Sequence, residues 1–176
     1  MSDEHPPVRR HPSAGNIHEP PTATSTGGSR RSAAPPTWQW PEGIVFDPST
    51  IQLGPGVTDT AVGRLVGHGA GRRILELGAG DGSRAVLLAL QGAKVIVVDP
   101  SVEAIAAVRR RAAEYDVKIE CHHSDLADLA FVRGDRIDLC LAVYSLARVA
   151  DVARVFRQAH RVMRSEAPLL LTLPIH

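Results

Sequence analysis

The most constraining feature of the sequence is a glycine-rich turn between an apolar segment and a helix-forming one. Residues 73–77 are mostly apolar and predict a buried strand, and glycines then occupy alternate positions in residues 78–82. The apolar run of residues 83–90 predicts a helix. In α/β sheets a strand, a glycine turn and a helix together form a ligand site, because the backbone can approach the ligand and the helix N-terminus offers N–H groups.

A second strand and an acidic residue strengthen this prediction. Residues 94–98 form an apolar run rich in β-branched side chains, which is typical of a parallel strand buried on both faces. The run ends in Asp99, about twenty residues beyond the glycines, where a nucleotide-binding βαβ unit places an acid that accepts hydrogen bonds from ribose hydroxyls.

The glycine spacing separates two cofactor classes. The dinucleotide fingerprint G-x-G-x-x-G requires a third glycine where this chain has Ser83, which disfavours an NAD(P)-dependent oxidoreductase. Glu76-x-Gly78-x-Gly80-x-Gly82 instead resembles the first motif of the class I S-adenosylmethionine-dependent methyltransferases. Residues 98–101 resemble the second motif of that family. The resemblance implies that Asp99 holds the cofactor ribose and that the glycine turn faces its methionine part.

Downstream segments continue the resemblance. A third strand is predicted at residues 117–121, and the family pattern then implies adenine contacts from Asp125 and Leu126. Asp125 is nearly as well explained as the cap of a short turn at residues 126–130. A fourth strand is predicted at residues 136–143, with Asp138 structural at its start.

Tyr144 follows the fourth strand at the carboxyl edge of the sheet and is the best candidate for a substrate contact, although a core or rim tyrosine fits equally well. The sequence identifies no catalytic base and no metal site. The candidate cofactor-binding residues are Glu76, Gly78, Ala79, Gly80, Gly82, Asp99, Pro100, Ser124, Asp125, Leu126, Ala142 and Tyr144.

Alternating helices and strands predict the fold class. Helices are expected at residues 102–114 and 151–164, and a fifth strand at residues 169–173. The run Arg109–Arg111 is interpreted as a solvated helix end. We therefore expect an α/β domain with a doubly wound, mostly parallel sheet of Rossmann-like methyltransferase type. Its strand order is 3-2-1-4-5, counted from the strand before the glycine turn.

Composition divides the chain into three parts. Residues 1–36 are rich in Pro, Ser and Thr and predict a disordered tail. Residues 37–70 are expected to form a cap segment, in which Trp38, Trp40 and Phe46 pack on the domain and Thr58 or Asp59 begins a short helix to about Val66. Residues 71–176 form the predicted S-adenosylmethionine-binding domain.

Charge and cysteine usage limit the partners and the compartment. The net charge is +1, which gives no strong attraction to nucleic acid or to an anionic membrane, and no apolar run reaches the roughly 20 residues of a membrane span. Cys121 and Cys140 are predicted on strands three places apart, too far for a disulfide. We therefore expect no nucleic-acid or membrane partner and a cytoplasmic location.

The resemblance also defines what the chain lacks. The family adds two further strands, six and seven, after the fifth, and none is expected before His176. The fifth strand would then be an apolar edge that a second copy could cover, giving a homodimer. The predicted function is S-adenosylmethionine-dependent methyl transfer to a small-molecule acceptor. A non-catalytic or truncated cofactor-binding module is the alternative from another class.

Overall fold

The computed structural model describes residues 50–54, 57–60 and 66–174. Within these ranges the strands are β1 (Thr50–Gly54), β2 (Val57–Thr60), β3 (Arg73–Leu77), β4 (Lys94–Asp99), β5 (Ile119–His123), β6 (Leu139–Val143) and β7 (Leu169–Thr172). The helices are α1 (Ser83–Leu90), α2 (Val102–Glu114) and α3 (Val152–Val162), with a single 3-10 turn at Ser145–Arg148.

Strands β3 to β7 form one parallel sheet in the order β5-β4-β3-β6-β7. Counted from β3, this is the predicted order 3-2-1-4-5, so both the fold class and the order are confirmed. The register places Leu75 beside Ile96 on one side and beside Cys140 on the other. The direction of winding changes between β3 and β6, and ligands in open α/β sheets bind beyond the carboxyl ends of the strands at such a point.

Apolar side chains fill both faces of the sheet, because each central strand alternates its side chains between two helical layers. On one face, strand residues pack with residues of α1 and α2, including Ile74, Val95, Val97, Leu139, Ala85, Leu88, Ile105 and Val108. On the other face, strand residues pack with residues of α3, including Leu75, Leu77, Ile96, Val98, Cys140, Val155, Ala159 and Val162. This three-layer arrangement holds the glycine turn between β3 and α1.

Capping residues set the helix starts. Ser101 Oγ accepts from Ala104 N at 3.1 Å and begins α2, whose bounds match the prediction. Asp151 Oδ1 accepts from Arg154 N at 2.8 Å and begins α3. Asp138 is structural as predicted, since its carboxylate accepts from Arg73 N at 2.7 Å and pairs with Arg164 at 2.6 Å.

The prediction of a helix that begins at residue 58 or 59 is wrong for the residues that the structure describes. Thr58 and Asp59 lie in β2, which pairs antiparallel with β1. The physical reason is the period of two in β1, where Ile51 and Leu53 are both fully buried while Gln52 between them is not. Residues 61–65, the aromatic residues of the cap segment and the tail at residues 1–36 lie outside the described residues.

The starts of two predicted strands shift. The third strand begins at Ile119 rather than residue 117, because Val117 N still bonds to Ala112 O and closes the end of α2. The fourth strand begins at Leu139, preceded by an isolated bridge between Ile137 and Met163. Among the described residues, no helix combines the length and apolar character that a membrane crossing requires.

Candidate functional site

Asp99 joins three segments at the carboxyl edge of the sheet. Its Oδ2 accepts from Ala79 N in the glycine turn at 2.7 Å, and its Oδ1 accepts from Ser101 N at 2.7 Å. Its backbone carbonyl accepts from Ser124 N, beyond the end of β5, at 3.1 Å. The structure therefore brings together Asp99, Ala79 and Ser124, which the sequence had assigned to one site.

The carboxylate of Asp99 retains capacity for a ligand. Two carboxylate oxygens offer about four lone-pair positions, and the two backbone N–H groups occupy two of them. The residue is partly exposed at the strand end. An acceptor pair at this position suits two vicinal hydroxyl groups.

The glycine turn needs its glycines for more than ligand access. Gly78, Gly80 and Gly82 have φ values of 92°, 55° and 84°, all in the left-handed region. A Cβ on Gly78 would collide with the side chain of Ser145, and a Cβ on Gly82 would lie 2.9 Å from Val108 Cα. Two of the three glycines thus allow the protein's own elements to approach, whereas Gly80 is exposed.

Glu76 lies below the turn rather than at its surface. Its side chain is fully buried and pairs with Arg84, whose Nη1 also donates to Gln52 O in β1 at 3.1 Å. Burial raises the pKa of Glu76, and the Arg84 charge opposes that rise. No part of the Glu76 side chain is exposed to solvent, so the predicted contact between Glu76 and a ligand remains a prediction.

The predicted adenine side is formed by the loop after β5. Asp125 is exposed and its Oδ1 accepts from Ala127 N at 2.7 Å, so it does cap the local turn, and Leu126 is buried. The second oxygen of Asp125 is not engaged in that bond. Pro100 is exposed, and its carbonyl oxygen lies 3.0 Å from His123 Nε2. Capping and ligand contact are therefore compatible roles for Asp125.

Ala142 and Tyr144 occupy different environments at the end of β6. Ala142 is fully buried in the core, so its side chain offers no surface to a ligand. Tyr144 is partly exposed and has φ 56° and ψ −5°. Left-handed backbone at a tyrosine is uncommon, and such strain concentrates at functional sites. The backbone is fixed by Tyr144 N donating to Thr172 O at 3.1 Å.

Sequence reasoning missed three residues around the turn. Arg84 interrupts an otherwise apolar helix, which is a visible signal for a buried ion pair. Ser145 Oγ donates to Leu77 O at 2.5 Å, a contact without a local sequence signal. Arg111 was expected to be solvated, but its guanidinium donates hydrogen bonds to Asp81. The sequence signal for this contact was the position of Arg111 one helical turn after Val108, which faces the core.

A cavity of about 830 Å³ lies away from this edge. Its lining includes Arg73, Lys94 and Ile119, which are the first residues of β3, β4 and β5. Since parallel sheets place their ligand sites at the opposite, carboxyl ends of the strands, the Asp99 edge is the candidate site. Among the described residues, no cluster of side chains suits a metal ion.

Comparison with known proteins decides the family. A family model described as a methyltransferase domain matches residues 74–166, which is more than half of the chain. The chain belongs to this methyltransferase domain family. The match covers β3 to α3, and so includes the glycine turn, Asp99 and Tyr144.

Individual curated relatives align with the chain over a similar length, 104 and 102 residues. Demethylmenaquinone methyltransferase of Clavibacter sepedonicus is 35% identical over 104 residues, covering 59% of this chain and 42% of the relative. A ubiquinone biosynthesis O-methyltransferase of Azorhizobium caulinodans is 30% identical, with coverage of 58% and 40%. The chain thus spans about two fifths of the length of these curated relatives.

A solved structure gives the same result for the fold. The crystal structure of an S-adenosylmethionine-dependent methyltransferase from Mesorhizobium loti matches with a TM-score of 0.55 and 30% identity. The match covers 62% of this chain and 49% of that protein. The methyltransferase domain therefore has the Rossmann-like fold that the sequence predicts.

Proposed function

We propose that this methyltransferase domain binds S-adenosylmethionine at the Asp99 edge and transfers its methyl group to a small-molecule acceptor. The observation that carries the proposal is the junction of Asp99 with the glycine turn, where Oδ2 accepts from Ala79 N at 2.7 Å. This bond fixes a carboxylate and a left-handed glycine turn next to each other at the point where the winding of the sheet changes. That is the position in which such sheets bind nucleotide-like ligands.

The donor and acceptor set fits this cofactor. Asp99 keeps carboxylate lone pairs for the ribose hydroxyls, and the exposed Gly80 lets the backbone approach the methionine part. Asp125 and Leu126 lie beyond the neighbouring strand, on the side proposed for adenine. When bound, S-adenosylmethionine supplies a methyl group that its sulfonium activates.

Tyr144 is proposed as the residue nearest the acceptor. It follows β6 directly, and β6 adjoins β3, which leads into the glycine turn. The residue is partly exposed, and its left-handed backbone is the kind of strain that concentrates at functional sites. We assign no general base, because holding the acceptor in the reactive orientation can supply much of the rate.

The acceptor class is proposed from the relatives. The two curated relatives are named for demethylmenaquinone and for ubiquinone biosynthesis, and both names support a small organic acceptor. The near-neutral charge of the whole chain gives no support to a nucleic-acid substrate. A cytoplasmic location is proposed as well, and the free thiols of Cys121 and Cys140 support it.

Calorimetry with three ligands tests the proposal. S-adenosylmethionine and S-adenosylhomocysteine should each bind with one-to-one stoichiometry, and NAD should not bind under the same conditions. Binding of NAD alone would overturn the cofactor assignment. A methyl-transfer assay with small quinol and phenol acceptors then separates an enzyme from a non-catalytic binding module, which would bind the cofactor without turnover.

A further inference from the structure

The glycine turn is held from outside by α2. Arg111 donates from Nε to the backbone oxygen of Asp81 at 2.9 Å and from Nη2 to Oδ2 of the same residue at 3.1 Å. The guanidinium thus grips both the backbone and the side chain of one residue within the turn. A planar guanidinium supplies two donors in a fixed geometry, which a lysine cannot do.

Asp81 is the position in the turn where such a restraint has most effect. Gly80 and Gly82 flank it, with φ values of 55° and 84°, so the backbone on both sides has wide freedom. Ser83 ties Asp81 to α1, because its N donates to Oδ1 at 3.0 Å and its Oγ donates to Oδ2 at 2.6 Å. Arg111 adds the connection to α2, so two helices define one conformation.

The same helix also carries the other half of the site. Ser101, the N-cap of α2, donates its N–H to Asp99 Oδ1 at 2.7 Å. Val108 packs so closely that Gly82 has no room for a Cβ. Helix α2 therefore positions two parts of the site. Its N-cap holds the Asp99 carboxylate, and Val108 and Arg111 hold the glycine turn.

We propose that Arg111 is a positioning residue for cofactor binding, which acts by clamping Asp81 and thereby holding the glycine turn in its binding conformation. This proposal rests on the proposed function of the Asp99 edge. The contact is half-exposed, with side-chain exposures of 26% for Arg111 and 41% for Asp81. It therefore contributes little to global stability, and its effect falls on the local geometry of the turn.

The neighbouring Arg110 provides a matched control. Its side chain is 69% exposed and lies 3.8 Å from Glu114 one helical turn away, so it adds charge to α2 without touching the turn. Arg111→Ala should weaken S-adenosylhomocysteine binding about fivefold, which corresponds to the upper end of what a partly exposed ion pair contributes. Arg110→Ala should bind within about twofold of the wild type. Arg111→Lys should recover only part of the loss.

Two measurements keep the proposal separate from the proposed function and from a purely structural role. Calorimetry is run well below the melting temperature of each variant, and a cycle with Asp81→Asn should show that the two substitutions are not additive. Hydrogen exchange of the free protein should be faster at residues 79–83 in Arg111→Ala but unchanged in Arg110→Ala.

Different outcomes would overturn the Arg111 proposal and the proposed function. Unchanged affinity in Arg111→Ala, full recovery by Arg111→Lys, or additive effects with Asp81→Asn would overturn the clamp. A wild type that binds no cofactor would overturn the proposed function instead. Exchange at the turn would still decide whether Arg111 restrains it.

Discussion

Ser145 occupies the space that a side chain on Gly78 would need. A Cβ on Gly78 would fall far inside van der Waals distance of Ser145 Cβ, while Ser145 Oγ donates to Leu77 O at 2.5 Å. The first glycine of the turn therefore joins two parts of the fold, the end of β3 and the 3-10 turn after Tyr144. The stability lost when Gly78 is replaced can be measured without any ligand.

Gly78→Ala should destabilise the domain more than Gly71→Ala. Both residues have left-handed backbones, with φ values of 92° and 74°, but a Cβ on Gly71 meets nothing within 4 Å. Gly71→Ala should cost about 1–2 kcal/mol from the backbone alone, and Gly78→Ala about 1–3 kcal/mol more from overpacking. Urea unfolding measures both, and Ser145→Gly should restore part of the loss in Gly78→Ala. Equal costs at the two glycines would mean that the turn shifts away from Ser145.

Asp99→Ala should weaken S-adenosylhomocysteine binding at least tenfold, by the loss of charge-assisted hydrogen bonds worth about 1.5–3 kcal/mol each. The fold should also lose stability, because the carboxylate holds Ala79 N and Ser101 N. Calorimetry and thermal melting report the two effects, with Asp128→Ala as the control, since its long 3.5 Å bond to Ala130 N closes a neighbouring turn. A folded Asp99→Ala variant with unchanged affinity would place the ribose contact elsewhere.

The sheet could be predicted because its information is local. The β-branched run of β4 and the apolar face of α3 each define an element within a few residues. Helix–strand alternation then leaves few topologies. The hairpin was missed because Thr58 and Asp59 suit both a helix cap and a strand beside a turn. The antiparallel pairing of these residues with β1, in which Ile51 and Leu53 are buried, shows which alternative the chain adopts.

The site residues that belong to a sequence motif were predicted, and those that depend on partners far away in the sequence were missed. Asp99 and the glycines are twenty residues apart within one βαβ unit, and the structure joins them. Ser145 meets Leu77 across 68 residues, and Arg84 reaches Gln52 across 32. Such pairs depend on the tertiary fold, and a single sequence does not encode them as a pattern.

The buried Glu76–Arg84 pair should respond asymmetrically to mutation. Glu76→Gln leaves the Arg84 guanidinium buried and unable to lose its proton, at a cost of about 3–5 kcal/mol. Arg84→Met leaves a carboxyl group that can become neutral, because burial raises the pKa of Glu76. Arg84→Met should therefore be the milder change, and the double variant milder than the sum of the two.

The stability of the Arg84→Met variant should depend on pH in a definite direction. A carboxyl group whose folded pKa is raised stabilises the fold below its ordinary pKa, and this contribution is lost as the pH rises through the folded value. Arg84→Met removes the charge that opposes the rise. Its stability deficit against the wild type should thus shrink as the pH falls from about 8 to about 5, whereas that of Glu76→Gln should not. Urea unfolding at several pH values measures this. A constant deficit for Arg84→Met would show that removing Arg84 does not change the protonation of Glu76 in this pH range.

The last prediction concerns strand β7, which pairs with β6 and with no other strand of the described chain. Leu171 and Leu173 are 37% and 53% exposed at this edge. An unpaired apolar strand is a template for another strand, and two copies can join such edges about a two-fold axis. We therefore propose that the 176-residue chain self-associates through β7.

Sedimentation over a range of concentrations should show a monomer–dimer equilibrium, and Leu171→Lys should shift it to monomer, since an edge lysine disfavours strand pairing. Leu90→Lys is the matched control, because Leu90 is 46% exposed but lies at the end of α1. The Leu90→Lys variant should have the same dimerisation constant as the wild type. A wild type that stays monomeric at every concentration, or equal effects of the two lysines, would exclude β7 as the contact surface.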